Sequence, residues 1–191
     1  MGILLLNIFF VSGHNKWSQI KHKKAASDGQ KSRVFSKHAQ VIAMESKKAK
    51  GDVSYPSLAA AIERAKKDSM PKDNIERAVT KGKSADAAAL EETHYETFGP
   101  GGTALLITAV TDNPNRTTPE IRHLLSRAGY QLGAVGSAMW AFTKSGDRYV
   151  PMSPIELRDE DGEKLALLIE AIEEHDDVQE IYTTADSAVS E

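Results

Sequence analysis

Residues 103–111, TALLITAVT, decide how the rest of the chain folds. Leu105, Leu106, Ile107 and Val110 leave no continuous polar face, and the β-branched residues among them favour an extended backbone. The run therefore reads as a strand buried on both sides. Immediately before it, Gly99-Pro100-Gly101-Gly102 has to turn, and Thr93 to Phe98 reads as another strand. After it, Thr117 and Glu120 are spaced as a capping box, with Pro119 early in a helix. Ile121, Leu124, Leu125 and Ala128 give that helix its apolar stripe, and Gly129 stops it.

Ser137 to Thr143 reads as a second buried strand. Ser145-Gly146-Asp147 makes a hairpin turn into Arg148 to Met152, a weak strand because Pro151 lies inside it. Leu165, Leu168, Ile169 and Ile172 mark another helix, and Val178 to Thr183 a last strand. From residue 103 the order is β-α-β-β-α-β, which closes as a ferredoxin-like antiparallel sheet with two helices on one face. If the strands around residue 146 pair, Phe142 and Tyr149 lie in paired segments and Leu165 and Ile169 are covered.

The other direction along the chain reads as helix. From Lys16 to Lys50, Phe35, Ala39 and Ile42 form one stripe, with Val34, His38 and Val41 beside it, and Gly51 and Asp52 end the element. Pro56 starts a second helix, whose apolar face is Leu58, Ala61, Ile62 and Ala65. Pro71 repeats the device for a third, with Ile75 and Val79 four apart and Gly82 closing it. The fold class is thus α+β: a basic helical domain over residues 12–82, a linker over 83–92, a ferredoxin-like domain over 93–184 and a tail over 185–191. Residues 1–11 are apolar, but they lack the basic flank of a signal peptide and the length, about 20 residues, of a membrane span. They are expected to be an extension without function.

The 191 residues are 40% hydrophobic and 27% charged, with a formal charge of −3. Zero cysteines exclude a disulfide scaffold, a Cys-ligated metal and a thiol nucleophile, and accord with a reducing, cytoplasmic location. The small net charge hides a segregation. Residues 1–90 hold 17 Lys and Arg against 8 Asp and Glu, whereas residues 91–191 hold 7 against 19. Within residues 16–50 there are 10 basic and 2 acidic side chains, a density that attracts polyanions. Residues 154–191 hold 2 basic and 13 acidic side chains, a surface that repels them.

Convergent reactive groups are not found. None of His14, His22, His38, His94, His123 and His175 has HExxH spacing, so no metal site is read. Gly82-Lys83-Ser84 resembles the end of a phosphate loop, but Arg77 stands where that loop needs glycine. Gly129, Gly133 and Gly136 have the wrong spacing for a dinucleotide fingerprint. No cofactor is expected. What remains is the basic segment: Lys16, Lys21, Lys23, Lys24, Lys31, Arg33 and Lys37 are placed to neutralise phosphates, and each such contact releases counterions. Trp17, among them, either stacks on an unpaired base or packs beneath a helix. The expected strands lack the aromatic signature of an RNA-recognition module.

These residues carry a resemblance. Gly13-His14-Asn15-Lys16-Trp17 with Ile20-Lys21-His22-Lys23-Lys24-Ala25-Ala26 is similar to the N-terminal signature of the YebC/PmpR family. The likeness continues through Met70 to Ala78, Tyr95-Glu96, Gly99 to Ala104, Asp112-Asn113, Asn115 to Thr117, Leu132-Gly133, Gly136-Ser137, Trp140 to Phe142 and Asp176 to Glu180. The resemblance implies a non-enzymatic protein with an N-terminal helical domain followed by α/β domains, described as a DNA-binding transcriptional regulator. Some members resemble translation factors that act at the ribosome, where proline-rich nascent chains stall. Duplex DNA or ribosomal RNA, with the ribosome itself, are the implied partners, and no membrane is. Family motif and charge coincide at His14, Lys16, Trp17, Lys21, His22, Lys23 and Lys24.

Two departures accompany the likeness. The family's further inserted α/β domain is absent, its place taken by Ser145-Gly146-Asp147, and Asn15 stands where serine is common. Val11-Ser12-Gly13-His14 aligns with the family's opening Met-small-Gly-His, so Val11 is expected to mark the natural start.

Overall fold

The computed structural model describes residues 28–84, 90–146 and 148–186. Three helices come first: α1 (Asp28–Lys48), α2 (Pro56–Lys67) and α3 (Lys72–Lys83). Their apolar stripes meet in one core of Ile42, Leu58, Ala61, Ala65, Ile75 and Val79, with Phe35, Ala39 and Ile62 packed at its margin. Each large side chain buried there contributes about 1.5–3 kcal/mol relative to exposure. The expected helix from Lys16 is described from Asp28 onward; residues 16–27 lie outside the described residues. Pro56 occupies the first turn of α2, where its missing N–H costs no hydrogen bond.

Gly82 does not end the third helix. It is buried within α3, where a Cβ would lie 2.3 Å from the Ala43 carbonyl oxygen and 2.7 Å from the Ser46 Cβ. Glycine is there because α1 and α3 approach too closely for any side chain. Ser46 Oγ, fully buried, donates to the Val79 carbonyl at 2.7 Å across the same contact. Gly82→Ala should force the helices apart and cost about 1–3 kcal/mol by overpacking. Urea unfolding measures it, and an unchanged midpoint contradicts the close-packing role.

The second unit contains β1 (Glu91–Phe98), β2 (Ala104–Thr111), α4 (Pro114–Arg127), β3 (Phe142–Ser145), β4 (Arg148–Pro151), α5 (Asp159–Glu173) and β5 (Val178–Thr183). A single 3-10 turn, Pro100–Gly102, joins β1 to β2, and Gly101 and Gly102 there take φ of 63° and 77°, which glycine adopts without strain. Every residue of β2 is buried, as the apolar run requires. Its alternation sorts two faces. Leu105, Ile107 and Ala109 pack with Ile121, Leu125, Leu165 and Ile172 of the helices, while Ala104 and Leu106 pack with Phe142 and Tyr149.

The element order β-α-β-β-α-β from β2 onward is as expected, but its closure differs. Strands β1, β2 and β5 form one antiparallel sheet in the order β1-β2-β5, and β3 and β4 pair separately. Strand β1, tied to β2 by a short turn, takes the edge of β2 that a ferredoxin-like sheet gives to a later strand, so one four-stranded sheet does not form. The small hairpin lies over the sheet face opposite the two helices. Its register pairs Phe142 with Pro151 and Lys144 with Tyr149 across the turn at Gly146, whose φ is 63°. Leu165 and Ile169 are covered, so the domain closes without an insertion.

Two local readings are corrected. Helix α4 starts three residues before Thr117: Asn113 is the cap, its side chain accepting from the Arg116 N–H, and Pro114 fills the first turn. Thr117 is instead buried inside the helix, donating to Asp177 Oδ2 at 2.6 Å. Ser137 to Thr143 is mostly not strand; Met139–Ala141 forms a 3-10 turn and β3 begins only at Phe142. The cause is Glu96 on β1. Its Oε1 accepts the Gly136 N–H at 2.6 Å, and its Oε2 accepts those of Ala138 and Met139 at 2.6 and 2.7 Å. The backbone wraps a carboxylate instead of joining a ladder.

Candidate nucleic-acid interface

Of the candidate residues, His14, Lys16, Trp17, Lys21, His22, Lys23 and Lys24 lie outside the described residues. Lys31, Arg33 and Lys37 stand on the first turns of α1. Arg33 and Lys37 are four residues apart and share a face, whereas Lys31, exposed, falls on another. The shared face borders a cleft of about 950 Å³ between the helical unit and the sheet. Lys37 crosses that cleft: its Nζ donates to the Glu173 carbonyl at the end of α5, at 3.1 Å.

Sequence reading missed the other cations at this cleft. Arg64, in the last turn of α2, and Lys144, on β3, border it as well, and only the tertiary fold brings them to the same cleft as Arg33. It also missed the opposing acids. Glu92 on β1, Glu173 at the end of α5 and Glu180 on β5 face the same space. Glu180 accepts from the Tyr182 hydroxyl at 2.5 Å, and burial first, with this anionic acceptor second, pushes the Tyr182 phenol well above its ordinary value. The helical wall thus brings most of the cations, with Glu45 and Asp68 among them, and the sheet wall most of the carboxylates, with Lys144 among them.

Elsewhere the charges are locked together. Arg116 reaches Asp177 Oδ2 at 2.7 Å and Asp112 Oδ1 at 3.4 Å, and its Nε lies 3.7 Å from Glu120. Burial alone would raise the Asp177 carboxyl, but hydrogen bonds from Thr117 and Arg116 outweigh it and hold the group below the usual aspartate range. His175 Nε2 meets Glu120 at 3.1 Å, and its Nδ1 accepts the Asp177 N–H. Glu120, His175 and Asp177 converge closely enough to suit a metal ion, but the Arg116 guanidinium already supplies the positive charge there. Among the described residues no helix is long and apolar enough to cross a membrane. Chemically, the cationic faces of α1 and α2 suit them to bind anions.

The family model described as the TACO1/YebC protein N-terminal domain matches residues 15–85, and that for the TACO1/YebC second and third domain matches residues 90–147 and 145–185. The chain belongs to the TACO1/YebC family. A relative from Petrotoga mobilis is 42% identical over 183 residues, spanning 93% of this chain and 72% of its own, and one from Chlorobaculum parvum is 44% identical over 177 residues, spanning 91% and 69%. Both carry the name "probable transcriptional regulatory protein". The crystal structure of a conserved hypothetical protein from Aquifex aeolicus superposes with a TM-score of 0.78 at 29% identity, covering 90% of this chain and 96% of that one. The second family match breaks at the β3–β4 turn, where the inserted domain is missing, and the relatives' greater length accords with that loss.

Proposed function

We propose that the protein is a non-enzymatic, nucleic-acid-binding regulator of gene expression, and that it acts on duplex DNA as a transcriptional regulator. The observation that carries this reading is the segregation of charge: +8 over residues 16–50, set against an acidic C-terminal half. A polyanion is attracted by one end of such a chain and repelled by the other, which orients it on the helical unit. The names of the two relatives support a role in transcription. His14, Lys16, Trp17 and the Lys21 to Lys24 cluster, with Lys31, Arg33 and Lys37, form the contact.

Retention of the protein on duplex DNA and on ribosomes in one salt series tests the reading. Duplex binding that falls steeply with salt, with a dissociation constant on the order of 10⁻⁵ M or tighter near physiological ionic strength, is expected. Co-sedimentation with ribosomes under salt that abolishes duplex binding makes the protein a translation factor instead.

A further inference from the structure

We infer that the cleft between the helical unit and the sheet is an ionic latch, closed in this structure, which polyanion binding to α1 opens. The inference rests on the nucleic-acid reading above and adds its regulation. The two walls are complementary in charge. Arg33, Lys37 and Arg64 stand on the helical side, where the lining acids Glu45 and Asp68 are paired within that unit by Lys48 and His38, and Glu92, Glu173 and Glu180 stand on the sheet side beside one cation, Lys144. The hydrophobic cores behind these walls share no residue, and the hydrogen bonds across the gap join polar groups, though Val34, Val41, Met44 and Val110 also line it.

Among the described residues, Lys37 and Gln179 make contacts that hold the walls together. Helix α5 carries no basic residue in its last turn, so the partial negative charge of its terminal carbonyls has no cation of its own. Lys37 supplies one from the other unit, donating to the Glu173 carbonyl. The register of β5 against β2 shifts between Thr108 and Ala109, and the extra residue is Gln179. Such an irregularity re-aims a side chain. Here Gln179 Nε2 donates to Gln40 Oε1 of α1 at 2.8 Å.

Phosphates and the acidic wall therefore compete for the same cations. By linkage, a polyanion that takes Arg33 and Lys37 opens the latch, and a substitution that weakens the latch without removing those cations tightens polyanion binding. Salt weakens it too, because Arg33, Glu92 and Glu180 are exposed and their charges are open to screening.

The chain has no cysteine, so spin labels at Ser36→Cys on α1 and Thr143→Cys on β3 report the separation of the walls in the full-length protein. A saturating duplex of about 20 base pairs should lengthen that distance, and so should raising NaCl from about 0.05 to about 0.5 M without DNA. The double variant Glu92→Gln, Glu180→Gln should bind the duplex about threefold or more tightly than Asp159→Asn, Glu163→Gln, which removes the same charge outside the cleft. Equal affinities in the two variants, or an unchanged distance with duplex bound, overturn the latch. If duplex fails to bind, the nucleic-acid reading falls while the latch is still decided by the salt arm: a distance indifferent to salt overturns it.

Discussion

Glu96→Ala should destabilise the protein by about 3–5 kcal/mol, because three backbone N–H groups lose a charged acceptor and nothing nearby replaces it. Glu96 is only 4% exposed, and the amides of Gly136, Ala138 and Met139 converge on its two oxygens. Glu96→Gln keeps the shape but turns an NH₂ toward an N–H donor, so it rescues only part of the loss. Burial would raise this carboxyl, yet the three backbone donors outweigh burial and hold it below the usual glutamate range. A lowered pKa in the folded state contributes stability that is present above the unfolded-state value and is lost as pH falls through the folded one. Wild type should therefore lose stability on acidification below the ordinary carboxylate range, and Glu96→Ala should lose less over that window. Urea unfolding across pH, with hydrogen exchange at Gly136, Ala138 and Met139, measures both effects. Wild-type stability with protected amides in the alanine variant contradicts the clamp.

That clamp also explains where sequence reading stopped. The apolar run at Leu105 to Val110 announces its own burial, and Leu165 to Ile172 announces a helix face, because hydrophobic periodicity is a local signal. Ser137 to Thr143 carries a local strand pattern too, but a carboxylate 42 residues before Ala138 takes the Ala138 and Met139 amides. Thr117 and Glu120 have the spacing of a cap, yet Asn113-Pro114 caps earlier and frees Thr117 to bond Asp177 across the domain. Gly82 has the identity of a helix terminator, and its actual constraint, the Ala43 carbonyl on another helix, has no sequence signature. The sheet order fails for the same reason: β1 and the hairpin both have claims on the edge of β2, and the short connection decides between them.

The candidate interface divides in the same way. Its cations on α1 are legible as a charge run. Arg64 and Lys144 are not, because each is one basic residue in an ordinary setting until the fold sets it at the same cleft as Arg33. The carboxylates of the opposite wall are legible as acidity, though not as a surface that faces the basic one.

Changing Lys21, Lys23 and Lys24 together to Ala should have the largest effect on binding. Each phosphate neutralised on duplex DNA contributes a slope of about −0.9 to log affinity against log salt, so three lost contacts flatten that slope by about 2–3 and weaken binding roughly a hundredfold near 0.1 M salt. The three lysines belong to the segment of 10 basic and 2 acidic residues that sets the two halves of the chain apart. The decisive measurement is a duplex-DNA titration of the wild-type chain and this triple variant over one salt series. The account predicts a steep wild-type slope and a flattened one in the variant, the two lines converging as salt rises. Parallel lines, with affinity unchanged by the loss of the three lysines, contradict it.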